Sequence, residues 1–291
     1  MRILKSVARR LVRQLAKWGL LPPRLTSVLL YRIILGKYPN IDNPGDMNEV
    51  ILHLLFNGDT SGWSELADKY AVRSHVASKI GEDVLVPLYQ IADSPDQIDF
   101  DALPDSFVIK TTDGFFHTII VKDKKQTDLK KIKKKLAKWM REKTIGDEYH
   151  YEAIKRRLII ERLLPGPNGT APIDYKFICV NGEPLYCLAC SNRSMETFRS
   201  EFTLYRLPEW EDTDGISPGY ESKTGVEKPE RLNEMMEYAA ILSEGFPLVR
   251  IDLYQVEGKV YFGEITLTSA AGREMKIKQK LLTEIGGKVR L

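Results

Sequence analysis

Apolar residues recur along this chain with two different periods, and the changes of period mark its elements. Leu4, Val7, Ala8, Leu11, Val12 and Leu15 are spaced by three and four, which predicts a helix over residues 2–18 with one apolar face. Pro22 and Pro23 end it, because proline cannot continue a helix interior, and a second apolar stretch covers 25–35. Asn43-Pro44-Gly45-Asp46 is a turn. Helical spacing resumes over 48–57 and over about 64–79, closed by Gly81-Glu82-Asp83. Strand-like runs follow at 84–89, 107–111 and 118–122. Leu129, Ile132, Leu136 and Met140 then predict a helix within 124–143. A short β-rich run at 158–164 is closed by the loop at 165–169. A hairpin runs through 174–180, turns at Asn181-Gly182 and returns through 185–189. A polar, turn-rich stretch covers 208–225, a helix 230–242, and two strands, 248–254 and 259–264, meet at Glu257-Gly258. No internal repeat or low-complexity tract is visible.

Composition narrows the class. A chain of 291 residues, 43% hydrophobic and 29% charged, makes one large or two small domains, with enough core to need no disulfide or metal. A net charge of +3 argues against polyanion binding by the whole molecule. The charge is uneven, however. Arg2, Lys5, Arg9, Arg10, Arg13 and Lys17 crowd the first helix, and no acid precedes Asp42. That is the pattern of a helix lying on an anionic membrane surface; the plainer alternative is a stripe packed on the protein's own body. The basic run at 124–143 reads first as a solvated face, with contact to anionic lipid or glycan as the alternative. Neither segment carries the interleaved aromatics of a nucleic-acid motif. No stretch approaches the ~20 apolar residues of a membrane span, and charges interrupt every apolar run a signal peptide would need. Cys179, Cys187 and Cys190 make no disulfide framework; the lone CxxC, in an apolar strand, reads as buried thiols in a reducing, cytoplasmic compartment.

The chemistry concentrates on three strands. In 248–254, Arg250 and Asp252 are two apart and share one face; in 259–264 and just beyond, Glu264 and Thr266 do the same. The turn between these strands brings the Asp252 and Glu264 faces together. Two carboxylates with a cation suit Mg²⁺ and phosphate, since Mg²⁺ takes one or two carboxylates plus substrate oxygens; an exposed cross-strand salt bridge is the alternative. Asp174 and Lys176 repeat the acid–base pair. Lys110 ends an apolar strand just before a glycine-containing loop, a placement suited to a phosphate.

The order of these features resembles the ATP-grasp superfamily, and more narrowly the TupA-like ATP-grasp family, named for teichuronopeptide biosynthesis and found among genes for surface polysaccharides. The phrases that carry the resemblance are NPGDMNEVILHL, ELADKYAVRSHV, GEDVLVPLYQIADSPDQIDFDALPDSFVIKT, TIIVKDK, DYKFICVNGEPLY and GFPLVRIDLYQVEGKVYFGEITLT, spread from about Tyr38 to Gly272. The resemblance implies an α+β fold in which two lobes sandwich ATP, and divides the chain into a basic amphipathic arm (1–37), a helical region (38–90), a small lid lobe (91–163) and a large lobe with the Mg²⁺–phosphate site (164–291). It implies that Lys69 and Lys110 contact phosphates, that Glu161 sits at the adenine hinge with the backbone around Leu163, and that Asp174 approaches the ribose. Lys176 would face the γ-phosphate, Arg250 would stabilise the transferring group, and Asp252, Glu264 and Thr266 would hold Mg²⁺. Arg193 and Arg199 are candidates for gripping an acidic substrate.

Two phrases depart from the family pattern. Its phosphate loop is glycine-rich, of the kind NHGSGG, whereas here 112–117 reads TDGFFH, with His117 as a stand-in for backbone amides. Ser269-Ala270-Ala271-Gly272 replaces a proline–glycine turn. The resemblance implies a carboxylate–amine ligase that uses ATP and Mg²⁺, acting on an acidic cell-surface polysaccharide or its lipid-linked precursor, cytoplasmic and peripheral at the inner face of the membrane through residues 1–20. A sugar kinase on the same fold, and a degenerate ATP-grasp scaffold for other glycan enzymes, are the alternatives.

Overall fold

A computed structural model of the chain describes residues 2–114, 117–142, 147–166, 170–193 and 200–291. In chain order the helices are α1 (Arg2–Lys17), α2 (Pro23–Leu35), α3 (Met47–Asn57), α4 (Trp63–Ala67), α5 (Val72–Ile80), α6 (Leu129–Arg141), α7 (Leu232–Ser243) and α8 (Gln279–Gly286). The strands are β1 (Leu88–Ala92), β2 (Phe107–Thr111), β3 (Thr118–Val121), β4 (Leu158–Glu161), β5 (Asp174–Val180), β6 (Glu183–Ser191), β7 (Glu201–Arg206), β8 (Glu211–Asp212), β9 (Leu248–Val256) and β10 (Lys259–Thr266). They form two antiparallel sheets, β1-β4-β2-β3 and β10-β9-β5-β6-β7-β8. The smaller sheet packs on α6 through Ile109, Ile132, Leu136, Trp139 and Ile160.

The larger sheet shows a different chemistry on each face. Alternation puts Tyr175, Phe177, Cys187, Ile251, Leu253 and Phe262 on one side, where α5 and α7 cover them. On the other side Ile178, Tyr186, Leu188 and Leu204 pack under α3 and α8, and Asp174, Lys176, Arg250 and Asp252 continue that face of β5 and β9. Cys187 and Cys190 fall on opposite faces of β6, one in each core, so they cannot share a metal; all three cysteines are free and buried, as the apolar setting predicts.

Three expectations change. The helix expected over 64–79 is two helices. Asp68 accepts the backbone N–H groups of Tyr70 (2.7 Å) and Ala71 (3.1 Å), and this local capping starts a new helix. The break delivers Lys69 to the end of β2, its N–H donating to the Thr112 carbonyl. The strand expected at 84–89 begins only at Leu88, because a single 3₁₀ turn occupies Glu82–Val84 and the Val86 carbonyl is taken by Arg73. Strand β7 and helix α8 lay outside the expected elements: β7 adjoins a polar run, and α8 is only two turns long.

Candidate active site

The polar face of the larger sheet owes its content to one extra residue. Along β10, Val260 and Phe262 point into the α7-side core. Simple alternation would send Glu264 and Thr266 after them. The pairing with β9 instead runs Phe262↔Leu253, then Glu264↔Asp252 and Thr266↔Arg250, which leaves Gly263 as a bulge. One inserted residue flips all that follow, so Glu264 and Thr266 emerge beside Asp252 while Ile265 returns to the core. Only glycine fits the bulge: a Cβ there would lie 2.9 Å from the Asp252 carbonyl oxygen and 2.9 Å from the Tyr254 ring.

Around this bulge the cations and acids interlock. Arg250 clamps Asp252 with Nε at 2.6 Å and Nη2 at 2.8 Å, and the same guanidinium donates to Thr266 Oγ1 and Ser269 Oγ, each at 2.9 Å. Lys176 Nζ bridges Asp174 (2.6 Å) and Asp252 (2.5 Å). Arg193 lies 3.6 Å from Asp174. From the lid side, Glu161 receives Lys110 at 2.8 Å and Arg73 at 3.1 Å. Lys69 Nζ donates to the Gly114 carbonyl at 3.0 Å and stands 3.9 Å from Glu264. Six cations thus face four carboxylates, an excess of two positive charges in a largely desolvated space.

That desolvation sets the proton affinities. Burial alone would release the proton of Lys176, but Asp174 and Asp252 outweigh it and raise the ammonium above the ordinary lysine range. Lys110 is raised in the same way, with Glu161 outweighing burial. For Asp252 burial favours the neutral acid, yet Arg250 and Lys176 hold the carboxyl below its usual value. All three groups are therefore charged at neutral pH. Burial, then the Asp174 charge, raises the phenol of Tyr254.

The donor set suits a hard cation. Asp174, Asp252 and Glu264 offer only oxygen, and among the described residues Asp174 Oδ1 is buried without a hydrogen-bond partner. Among the described residues no group of three or more His, Cys, Asp and Glu side chains is placed to hold a metal by itself. The facing pair Asp252 and Glu264 would need substrate oxygens and water to complete a shell, which is how Mg²⁺ is usually held beside phosphates.

A family model for TupA-like ATP-grasp proteins matches residues 49–290. The chain belongs to the TupA-like ATP-grasp family. Among solved structures it is similar to the ATP-grasp ligase PsnB complexed with a minimal precursor (12% identity, 84% of this chain and 64% of that one, TM-score 0.41). It is also similar to D-alanine-D-alanine ligase from Bacillus anthracis complexed with ATP (14% identity, 84% and 74%, TM-score 0.46). A third is the macrocyclase MdnC from Microcystis aeruginosa bound with its precursor peptide (14%, 72% and 55%, TM-score 0.37). The chain spans 64% of the PsnB chain. No curated protein matches.

In this ATP-grasp protein Lys69, Lys110, Lys176, Arg193, Arg250, Asp174, Asp252, Glu161, Glu264 and Thr266 gather between the two sheets, and Leu163 lies half-buried just past β4. His117 stands apart: its ring stacks on Trp139 at 4.7 Å and pairs with Glu142 at 3.2 Å, and burial lowers its proton affinity. Arg199 and the pair Phe115-Phe116 lie outside the described residues. Three further residues belong to the site. Arg73 stood inside one of the matching phrases without a signal of its own. Ser269 stood in the departing turn, where Ala270 and Ala271 both adopt left-handed backbone (φ 50° and 51°) and Gly272 backs onto the Asn48 carbonyl. Such conformations cost energy in a residue with a Cβ, and here the turn sets Ser269 against Arg250. Glu148 accepts the Thr268 hydroxyl; burial, opposed by that hydrogen bond and aided by Asp147, raises its carboxyl to about 7. Nothing in the sequence distinguished it from a surface acid.

Proposed function

We propose that this chain is an ADP-forming carboxylate–amine ligase. The observation that carries the reading is the Asp174–Lys176–Asp252–Arg250 network facing Glu264, which with Lys69, Lys110, Arg73, Arg193 and Glu161 around it leaves a surplus of two positive charges. A carboxylate oxygen of the substrate attacks the γ-phosphorus of ATP; the bond from that phosphorus to the bridging oxygen breaks, and ADP departs. An amine nitrogen then attacks the acyl carbon, the carbon–oxygen bond to phosphate breaks, the nitrogen loses a proton to solvent, and an amide and inorganic phosphate result. Little covalent help is needed: positioning and fixed charge carry such transfers.

Lys69 and Lys110 hold phosphate oxygens, the second steadied by Glu161 and Arg73. Lys176 faces the γ-phosphate. Arg250, fixed by Thr266 and Ser269, stays aimed at the group in flight without reorganising. Asp252 and Glu264 would hold Mg²⁺, which when bound neutralises phosphate charge and orients the transferring group. Thr266 lies at the metal strand's end, and its hydroxyl serves Arg250. Asp174 and the backbone around Leu163 border the nucleoside, and Arg193 and Arg199 grip the acidic substrate. That substrate is a uronic-acid or amino-acid carboxylate on a cell-surface polysaccharide or its lipid-linked precursor, met at the inner face of the membrane through α1.

Calorimetry tests the site first. The wild type should bind ATP only with Mg²⁺, and the double variant Asp252→Ala with Glu264→Ala should not bind. Wild-type protein that ignores nucleotide would overturn the reading in favour of a scaffold. With binding in hand, uronic acids and amines are screened for ADP release. Phosphate that stays on the product, in place of free phosphate and an amide, would mean a kinase.

A further inference from the structure

The two basic helices share a signature in sequence but not in burial. In α6 the apolar stripe is spent on the lid core: Ile132, Leu136 and Trp139 are buried. In α1 the stripe splits. Val12 is buried, whereas Leu4 (74% exposed), Val7, Leu11, and beyond the helix Trp18 and Leu20 remain in solvent. Exposed aliphatic and indole groups on a helix with no acid in it have little reason to persist in water alone.

The two helices also border one cleft. Lys17, in the last turn of α1, lines one cleft with Lys134, Ala137, Lys138, Arg141 and Glu142 of α6 and its end. Four cations there face a single carboxylate, which lies 4.0 Å from Lys138 and 3.2 Å from His117. Among the described residues Lys17, Lys134 and Arg141 have no acidic partner. Like charges gathered this way repel one another unless an anionic surface compensates them. A soluble anion would satisfy the lysines and leave the exposed leucines of α1 unexplained; a membrane surface satisfies both.

We infer that α1 and α6 form one docking face for an anionic phospholipid surface, with α1 inserting its apolar side chains and α6 supplying charge. The inference extends the membrane contact proposed above for α1 and rests on it. Because α6 is packed into the lid lobe, docking would tie that lobe, and not only the arm, to the bilayer.

Co-sedimentation of the full chain with vesicles tests it, using phosphatidylcholine alone against phosphatidylcholine with phosphatidylglycerol. The wild type should pellet only with the anionic vesicles, and less so as salt rises. Lys134→Glu with Lys138→Glu, both at exposed positions, should bind at least about 30-fold more weakly, at about five-fold for each lysine charge lost and more for its reversal. Lys223→Glu with Lys228→Glu makes the same change of charge at exposed positions of the large lobe and should bind as the wild type does. Undiminished binding by the α6 variant, with binding lost in Leu4→Glu with Leu11→Glu, would overturn the role of α6 and leave the α1 contact standing. Equal weakening by both lysine pairs would overturn a defined face. A wild type that ignores anionic vesicles would overturn both. ATP binding, measured alongside without vesicles, reports on the ligase site independently of all three outcomes.

Discussion

The two faces of β9 and β10 are built from the same backbone, yet they do opposite work. On the α7 side Ile251, Leu253, Phe262 and Ile265 are buried among aliphatic and aromatic neighbours; one residue away along the same strands, Arg250, Asp252, Glu264 and Thr266 build a charged cluster. The contrast shows how a protein can keep costly buried charge. The apolar face supplies the burial that holds the strands, and the polar face, relieved of that task, can be arranged for chemistry. The charges of Arg250 and Asp252 are tolerated there because each has a partner within hydrogen-bond reach.

Substitutions on the two faces should therefore fail in different ways. Asp252→Asn is expected to cut turnover by about a thousand-fold or more while the fold persists, since it removes the charge that orients Arg250 and Lys176; steady-state ADP release with circular dichroism measures both. Retained turnover would break the contrast. Ile251→Ala, next door and fully buried, should lose about 2–5 kcal/mol of stability by denaturant titration, with nucleotide affinity of the folded fraction unchanged. Ser269→Ala removes one hydrogen bond to a charged donor and should lower kcat about ten-fold with little change in KM. A change confined to KM would mean that Ser269 shapes ground-state binding instead.

The smallest expected effect concerns pH. The Glu148 carboxyl ordinarily titrates near 4.5 and is raised to about 7 in the fold, where Asp147, Glu264 and Arg273 are its charged neighbours. The folded protein thus holds a proton that the unfolded chain releases, and stability falls as pH rises from about 4.5 to about 7. Glu148→Gln cannot ionise. Its melting temperature should gain several degrees on the wild type above pH 7, and the two curves should converge below pH 4.5. Parallel curves across that window would show that Glu148 is not buried as a neutral acid.

Much of the site was legible because its residues obey short-range rules. Arg250 with Asp252, and Asp174 with Lys176, lie two apart on strands whose alternation is unambiguous. Lys110 ends an apolar strand, and the order of these segments is the family's. The partners that decide what those side chains do were not legible. Glu161 lies in a short apolar run in sequence, and only the packing of β4 on β2 and of α5 beside them makes it the shared acceptor of Lys110 and Arg73. The convergence of Asp252 and Glu264 was expected from the turn, but its cause, the Gly263 bulge, is a pairing shift between strands that no local pattern announces.

The sequence by itself determined the family, the antiparallel hairpins that carry the acid–base pairs, the helical arm and the fate of the cysteines, because side-chain period and turn chemistry act over a few residues. Tertiary structure decided what those rules leave open. Two basic helices with the same spacing ended with different burial, since α6 found a sheet to cover and α1 found only part of one helix. Ser269, Arg73 and Glu148 joined the site through contacts that close long stretches of chain. Burial and ion pairing are properties of the assembled neighbourhood, and the neighbourhood exists only after folding.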